Sequence, residues 1–443
     1  MIIGGGASGV ILAAQLLQRA SNTQVIIFER TGEIGKGIAY STDNPSHLLN
    51  VRVNNMSAFP DQPEHFLNWL QAGQVNCAEQ NWSPQCFAPR MLYRTYLNEL
   101  VANDHIGDTP RLSIIPSGVV AVTMEDGKPF VTTEKGERVS ADAVIVATGN
   151  EAAIATSGKQ VSEYWSSNGY FNIDADAPVA IFGTGLSMID SVLSLLDRGH
   201  KGTIRAISRR GLVPARHMNV KPFEIDVEPL LSSRGLATRT HHVRGLMKAA
   251  QAQGSDWRSV MDALRPYTQT IWMHLTNEER ERFLRHLRPW WDVHRHRMAP
   301  QIADRIDAAK ASGQLAIIAG RLRAVRNDGE GMVVRYRERH SAKACELPAA
   351  CIIDCRGGNP AFSRTRNPAL QSLMENGLGR PDALDVGLDV TPDLQVIHSR
   401  GIASKHIFAL GPVTKGTFWE VIAIPDIRVQ AARLAEHLIK LSS

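Results

Sequence analysis

Short apolar runs that end in glycine or a small polar residue recur along the chain, and helical periods follow them. Met1-Ile2-Ile3 runs into Gly4, and Val10 to Leu17 reads as a helix. Gln24 to Phe28 is the next predicted strand, and Pro63 to Leu70 and Arg90 to Leu100 are predicted helices. Strands are predicted at Leu112 to Ile115, Val119 to Met124, Pro129 to Thr133 and Asp142 to Val146, the last running into Ala147-Thr148-Gly149. Asn150 to Asn172 is polar and without period, which predicts a linker. The order then repeats, with a strand at Val179 to Phe182, Gly183, a helix from Ile189 to Leu196 and a strand from Thr203 to Ile207. From about Pro229 to Ser312 the period is helical, with amphipathic stretches from Trp257 to Leu275 and from Asn277 to Asp307. Strands return at Leu315 to Ile318, Arg321 to Arg326, Met332 to Glu338 and Cys351 to Asp354, which ends in Cys355-Arg356-Gly357-Gly358. His406 to Leu410 ends at Gly411-Pro412, a loop covers Val413 to Ile424, and Pro425 opens a closing helix.

The first glycine turn, Gly4-Gly5-Gly6-Ala7-Ser8-Gly9, has the spacing that seats a pyrophosphate. Gly4 permits the tight turn, Gly6 lets the backbone approach the phosphates, and Gly9 lets helix and sheet pack closely. The helix N-terminus then points free N–H groups and its positive end at the anion. Glu29 lies about twenty residues beyond Gly9, where a carboxylate accepts from ribose hydroxyls, with Arg30 beside it. The loop Gly32 to Tyr40, including Gly37 and Ile38, either wraps the phosphates and sugars of the cofactor or is a surface loop.

Gly183-Thr184-Gly185-Leu186-Ser187-Met188 repeats the turn with Met188 in place of the third glycine. Ser208-Arg209-Arg210 stands where the first unit has Glu29, and guanidinium groups there match a 2'-phosphate that a carboxylate would repel. NADPH is therefore expected in preference to NADH. Two such units predict an α/β chain with two Rossmann-like dinucleotide-binding domains and a helical insertion at about 229–312.

Alternation puts Asn50, Arg52 and Asn54 on one face of an extended segment, either a polar wall beside a ligand or a solvated strand face. Arg90, at a helix start, is a candidate phosphate contact. Length and composition, 443 residues and 43% hydrophobic, suit two or three domains, and a net charge of +5 suits anionic small ligands. With no lysine-rich tail or basic stretch interleaved with aromatics, nucleic acid is not expected. Five scattered cysteines without a CxxC pair predict a reducing, cytoplasmic setting and no redox-active pair, and Cys351 and Cys355 read as a buried strand end. No apolar run has the length of a membrane span, and no signal peptide precedes the glycine turn, so no membrane partner is expected. His286, His294 and His296 lack an acid or cysteine at metal spacing, so no metal is expected; this basic stretch either rims an anionic ligand or is a solvated face.

Taken together, the chain resembles the flavoproteins with two dinucleotide-binding domains, related to glutathione reductase and the flavin-containing monooxygenases. It resembles more closely the group that includes FAD-dependent urate hydroxylase and aspartate N-monooxygenase. That resemblance rests on Gly35-Lys36-Gly37-Ile38-Ala39-Tyr40-Ser41, Leu48-Leu49-Asn50-Val51, Met56-Ser57-Ala58, Gly183 to Asp190, Arg285-His286-Leu287-Arg288 and Phe418-Trp419-Glu420. It implies a glutathione reductase-type fold, with residues 1–155 and 346–443 forming the FAD domain and 175–345 the NAD(P)H domain. FAD would sit at Gly4, Gly6, Ala7, Ser8, Gly9, Glu29, Arg30, Gly37, Ile38, Arg90, Thr148, Gly149, Gly411 and Pro412, although Pro412 replaces the aspartate usual after that glycine. NADPH would sit at Gly183, Gly185, Leu186, Ser187, Ser208, Arg209 and Arg210. The implied activity is a monooxygenase that uses dioxygen to hydroxylate a small polar or anionic substrate, urate-like or an amino acid. Asn50, Arg52, Asn54, Thr417 and Trp419 would wall its site. The alternative is a reductase or oxidase that passes electrons to a quinone, a metal centre or a protein. Neither the substrate nor the oligomeric state is legible in the sequence.

Overall fold

The computed structural model describes residues 1–73, 81–102, 105–106, 109–151, 161–163, 173–327, 331–341, 343–357 and 361–442. Most of the expected linker, together with Cys77 and Gly358, lies outside them.

Two sheets carry the fold. In the first, strands Gln395–Ile397, Ala403–Ala409, Val144–Val146, Ile2–Ile3, Val25–Phe28 and Leu112–Ile115 lie side by side in that order, parallel except for the first. Short strands of Val and Ile, buried on both faces, are what a parallel sheet covered by helices requires. Helix Ala7–Arg19 follows the first strand and packs along the closing helix Ile424–Ser442, with Arg19 paired to Glu436 at 3.0 Å. An antiparallel sheet of Val119–Glu125, Lys128–Thr133 and Arg138–Ser140 packs on helix Pro368–Glu375, where Val122 N–H donates to Ser372 Oγ at 3.1 Å.

The second sheet runs Val161–Glu163, Cys351–Asp354, Val179–Phe182, Ile204–Ser208, Leu315–Asn327, Met332–Glu338, Ala344–Ala349. Its first five strands are parallel and its last three form antiparallel hairpins. The expected boundary at 346 therefore moves. Ala344–Ala349 and Cys351–Asp354 pair into the second sheet, and the chain is back in the first core by Ala369 and Leu370.

The helical insertion is more broken than its period predicts. Arg265–Tyr267, which contains Pro266, is a 3-10 turn between Trp257–Leu264 and Thr268–Met273. The following stretch divides into Asn277–Arg282, a π-turn at Phe283–Leu287, Arg288–Arg295 and Pro300–Ala311. Proline accounts for the break at 300, since it opens a helix and cannot continue one. Leu315–Ile318 and Arg321–Arg326 join as one long strand, Leu315–Asn327.

Candidate functional site

The two glycine turns are built alike. Gly4 has φ +110, and a Cβ on it would stand 2.5 Å from the Ala147 carbonyl oxygen; Gly183 has φ +104, and a Cβ would stand 2.7 Å from that of Cys355. The strand exits Ala147-Thr148-Gly149 and Cys355-Arg356-Gly357 thus occupy equivalent places, one beside each turn. Among the described residues, Gly149 (φ +70) and Gly357 (φ +92) leave open space where a side chain would stand. Helices Ala7–Arg19 and Leu186–Asp197 begin at Gly6 and Gly185, and neither has a side-chain cap or an acid in its first turn. Free N–H groups at an uncapped N-terminus are an anion cradle.

Around the first turn the packing is close. A Cβ on Gly9 would stand 2.1 Å from Gly4 O, and one on Gly411 2.3 Å from Ser8 Oγ, so Gly411-Pro412 sits directly on the helix start. Glu29 Oε2 accepts from Gly5 N–H at 2.9 Å and its Oε1 from Thr31 N–H at 3.1 Å, while Arg30 faces Glu134 at 3.3 Å. The Gly32–Tyr40 loop covers this turn. Gly35 N–H donates to Gly5 O at 2.7 Å, and Gly37 Cα lies 3.7 Å from where a Gly6 Cβ would be. Thr148 Oγ1 is buried without a hydrogen-bond partner among the described residues. Open N–H groups, a glycine-lined approach and an orphaned hydroxyl fit a dinucleotide.

The second turn differs at its rim. Met188 is fully buried in the core of that domain, and among the described residues nothing stands within 4 Å of a would-be Gly185 Cβ. Ser208 Oγ accepts from Thr184 Oγ1 at 2.8 Å and from Gly211 N–H at 3.0 Å. Beyond it lies a cavity of about 650 Å³ lined by Arg209, Arg321, Arg337, Glu338, Arg339, His340 and Ser341. Arg321 and Arg337 stand opposite each other in the strand register, an unfavourable arrangement without an anion between them. Among the described residues, Arg209, Arg321, Arg337 and Arg339 make no ion pair with a carboxylate. Arg210 does not line the cavity. Arg335, Arg337 and Arg339 alternate in the sequence, but that pattern alone does not mark the hairpin arginines as lining a site. Cys351 is buried as expected, and burial pushes the Cys355 thiol up to about 12, which leaves it inert.

Several expected site residues are placed otherwise. Val53–Asn55 is a 3-10 turn that buries Val53, so Asn50, Arg52 and Asn54 do not share one extended face. Arg52 bonds Gln85, the Met218 carbonyl at 3.2 Å and Asn219 at 2.7 Å; Asn50 O accepts from His217 at 3.1 Å. Asn54 Oδ1 is buried and has no hydrogen-bond partner among the described residues. Arg90 pairs with buried Asp190 at 2.8 Å and donates to Leu48 O at 3.2 Å, which commits it to the seam between the domains in place of a phosphate. Thr417 Oγ1 donates to Val390 O at 3.4 Å. Trp419 stacks on Trp272 with ring centroids 4.8 Å apart, meets Phe283 edge-on at 5.6 Å and lies under the Arg288 guanidinium. It joins the helical insertion to the C-terminal loop.

Beside Trp419 is an ionic cluster that sequence reading missed. Glu420, at φ +72, is buried, accepts from Trp291 Nε1 at 2.8 Å and lies 3.3 Å from His296 and 3.5 Å from Arg295. Burial pushes its carboxyl up, but His296, Arg295 and Trp291 together outweigh it and hold the pKa at about 2. Burial, aided by Arg295, brings Arg265 down to about 10, and burial raises the Asp426 carboxyl. His217 falls to about 3, through burial and then Arg297. Asp292, His296 and Glu420 place ligand atoms within 4.8 Å of one another. Arg288 at 3.4 Å from Asp292 and Arg295 already neutralise this trio.

Residues 1–151 match the family model described as FAD-NAD(P)-binding. An uncharacterized protein of Mycobacterium tuberculosis is 21% identical over 486 residues, covering 94% of this chain and 89% of its own. Among solved structures, ornithine N-hydroxylase of Kutzneria sp. 744, with reduced FAD, NADP+ and L-ornithine, aligns at TM-score 0.69 and 14% identity over 100% of this chain and 99% of its own. L-lysine 6-monooxygenase from Pseudomonas syringae aligns at TM-score 0.68 and 14% identity over the same shares, 100% and 99%. The fold is that of the two-domain FAD/NAD(P)-binding flavoproteins.

Proposed function

We propose that this chain is an FAD- and NADPH-dependent oxidoreductase, a flavin monooxygenase that oxygenates a small polar or anionic substrate, urate-like or an amino acid. The observation that carries it is the pair of uncapped glycine cradles of which only the second opens onto an arginine-lined cavity. That asymmetry supports a reading in which FAD lies at Gly4, Gly6, Ser8, Gly9 and Glu29, and NADPH at Gly183, Gly185 and Arg209. When bound, FAD accepts a hydride equivalent from NADPH and delivers electrons to dioxygen, chemistry that no side chain supplies. The chain's own part is to hold each pyrophosphate at a helix start, to cover the first cradle with the Gly32–Tyr40 loop, and to keep that cofactor's surroundings dry. The hydroxylases that share the fold act on amino groups, which supports N-oxygenation.

The test is purification of the chain with FAD, followed by NADPH oxidation and mass analysis under labelled dioxygen. A yellow protein that incorporates the label into product is expected. A chain that retains no FAD after refolding with it overturns the reading, and NADPH use coupled to a quinone under nitrogen, with no oxygenation, moves it to a reductase.

A further inference from the structure

The loop that covers the first cradle leads directly to the second. Gly35 N–H reaches Gly5 O at 2.7 Å, and the stretch that follows, Thr42 to His47, lies against the helix that starts at Gly185. That stretch is braced on itself: Thr42 Oγ1 accepts from Asn44 N–H at 3.1 Å, and Asn44 Oδ1 from Ser46 N–H at 2.8 Å. Arg90 N–H donates to His47 O at 2.9 Å and opens helix Arg90–Glu99, whose Leu92, Tyr93, Tyr96 and Leu97 lie in the core beside the first sheet.

Helix Leu186–Asp197 buries Met188, Ile189, Val192 and Leu193 in the core of the second unit. Asp190, Ser194 and Asp197 recur at i, i+4 and i+7, which puts them on one face of that helix. Asp190 is 5% exposed and Ser194 8%. Each is met from the first unit. Arg90 Nη1 pairs with Asp190 Oδ2 at 2.8 Å, His47 Nε2 donates to the Asp190 carbonyl at 3.0 Å and lies 2.9 Å from Ser194 Oγ, and Asn44 Nδ2 donates to Asp197 Oδ2 at 2.8 Å. Arg305 bonds both Asp197 at 2.6 Å and Ser46 at 3.0 Å.

The Arg90–Asp190 pair is closed at a full charge-assisted distance, and parting the units would strand two buried charges. The seam therefore favours one placement of the second cradle against the first. Two bound nucleotides react only when their reacting atoms come within about 3–3.5 Å, and a misplacement of about 1 Å can cost a hundredfold in rate.

We propose that Asp190, gripped by Arg90 and His47, is a positioning residue for hydride transfer between the cradles. The clamp acts through the helix that starts at Gly185 and sets where the nicotinamide meets the flavin. The hydride carries both electrons from NADPH to FAD and leaves NADP+ and reduced flavin. This rests on the FAD and NADPH reading for the hydride, but not for the clamp.

The test pairs a distance with a rate. Asn22 and Lys201 are exposed, one in each unit. Nitroxide labels on Asn22→Cys and Lys201→Cys, in the full chain carrying Cys77→Ser, Cys86→Ser and Cys345→Ser, report the separation of the units by pulsed electron resonance, with and without FAD. One narrow distance is expected in the parent, and Asp190→Asn broadens it. When the FAD-loaded chain is mixed with NADPH in the absence of oxygen, Asp190→Asn lowers the limiting rate of flavin reduction by about tenfold or more. The Kd for NADPH stays within about twofold, a split that lost stability alone would not produce. Asp190→Glu keeps the carboxylate and restores part of both. If Asp190→Asn does not fold, Ser194→Ala combined with Asp197→Ala, which leaves the buried pair intact, decides by the same two readouts, with a slowing of about threefold. A folded variant that keeps either the parental distance or the parental rate overturns the proposal, as does a loss that falls wholly on the NADPH Kd. Failure to bind FAD overturns the flavoprotein reading alone, because the distance in the unloaded chain still reports on the clamp.

Discussion

The two glycine cradles share a backbone and differ in what surrounds it. At the first, the third glycine is obligatory, since a Cβ on Gly9 would overlap Gly4 O, and a loop closes over the turn through Gly35. At the second, Met188 fills the corresponding place and is buried, the turn is left open around Gly185, and the rim carries arginines in place of Glu29. A covered cradle retains its ligand, whereas an open one exchanges it. This is the division of labour expected between a resident flavin and a nicotinamide that must come and go.

Four measurements would break or sharpen that contrast. The largest effect is expected for Gly9→Ala, whose methyl meets backbone that has no room to yield. It loses FAD and about 3 kcal/mol or more of stability, read by visible absorbance and thermal melting. Gly185→Ala tests the second turn, at the place that Gly6 holds in the first. With nothing near the new methyl, the chain melts within about 0.5 kcal/mol of the parent and keeps its flavin, while the KM for NADPH rises by about tenfold or more as the phosphate approach is blocked. A stability loss as large as that of Gly9→Ala would show that the second turn is closed.

Arg209→Ala and Arg337→Ala each remove a guanidinium from the basic cavity, and about 1.5–3 kcal/mol per charge-assisted contact predicts a rise of about tenfold or more in the NADPH KM. The NADH KM should stay near its parent value, and equal effects on both nucleotides would refute the 2'-phosphate assignment. The last contrast, seen only in acid, is the pH dependence of the loop that joins the cradles to the insertion. Glu420 has a folded pKa of about 2 against an ordinary 4.5, so its stabilisation is complete above that ordinary value and is lost as the pH falls toward 2. Glu420→Gln should flatten melting temperature against pH in that acid window and leave the slope at neutral pH unchanged.

Legibility followed the range of the interactions. Both turns, the helices behind them and Glu29 were readable because the chemistry lies within thirty residues, and the Ala147 and Cys355 exits were readable as a repeated form. Asn50, Arg52 and Asn54 misled, because alternation describes a face only when the backbone stays extended, and burial of Val53 turns it into a 3-10 helix. Trp419 stands in a recognisable sequence pattern, but its partners Trp272 and Phe283 lie more than a hundred residues away. Arg337 gained meaning only when the hairpin register set it against Arg321.

The order of strands and helices, the two glycine turns and the exchange of Glu29 for Ser208-Arg209-Arg210 were determined by sequence alone, because local spacing and backbone sterics suffice for them. The tertiary structure decided which turn is covered, which arginines share a cavity and which buried charges meet. Those depend on pairing between distant segments, where the closure of the chain sets the distance between groups that no local pattern relates.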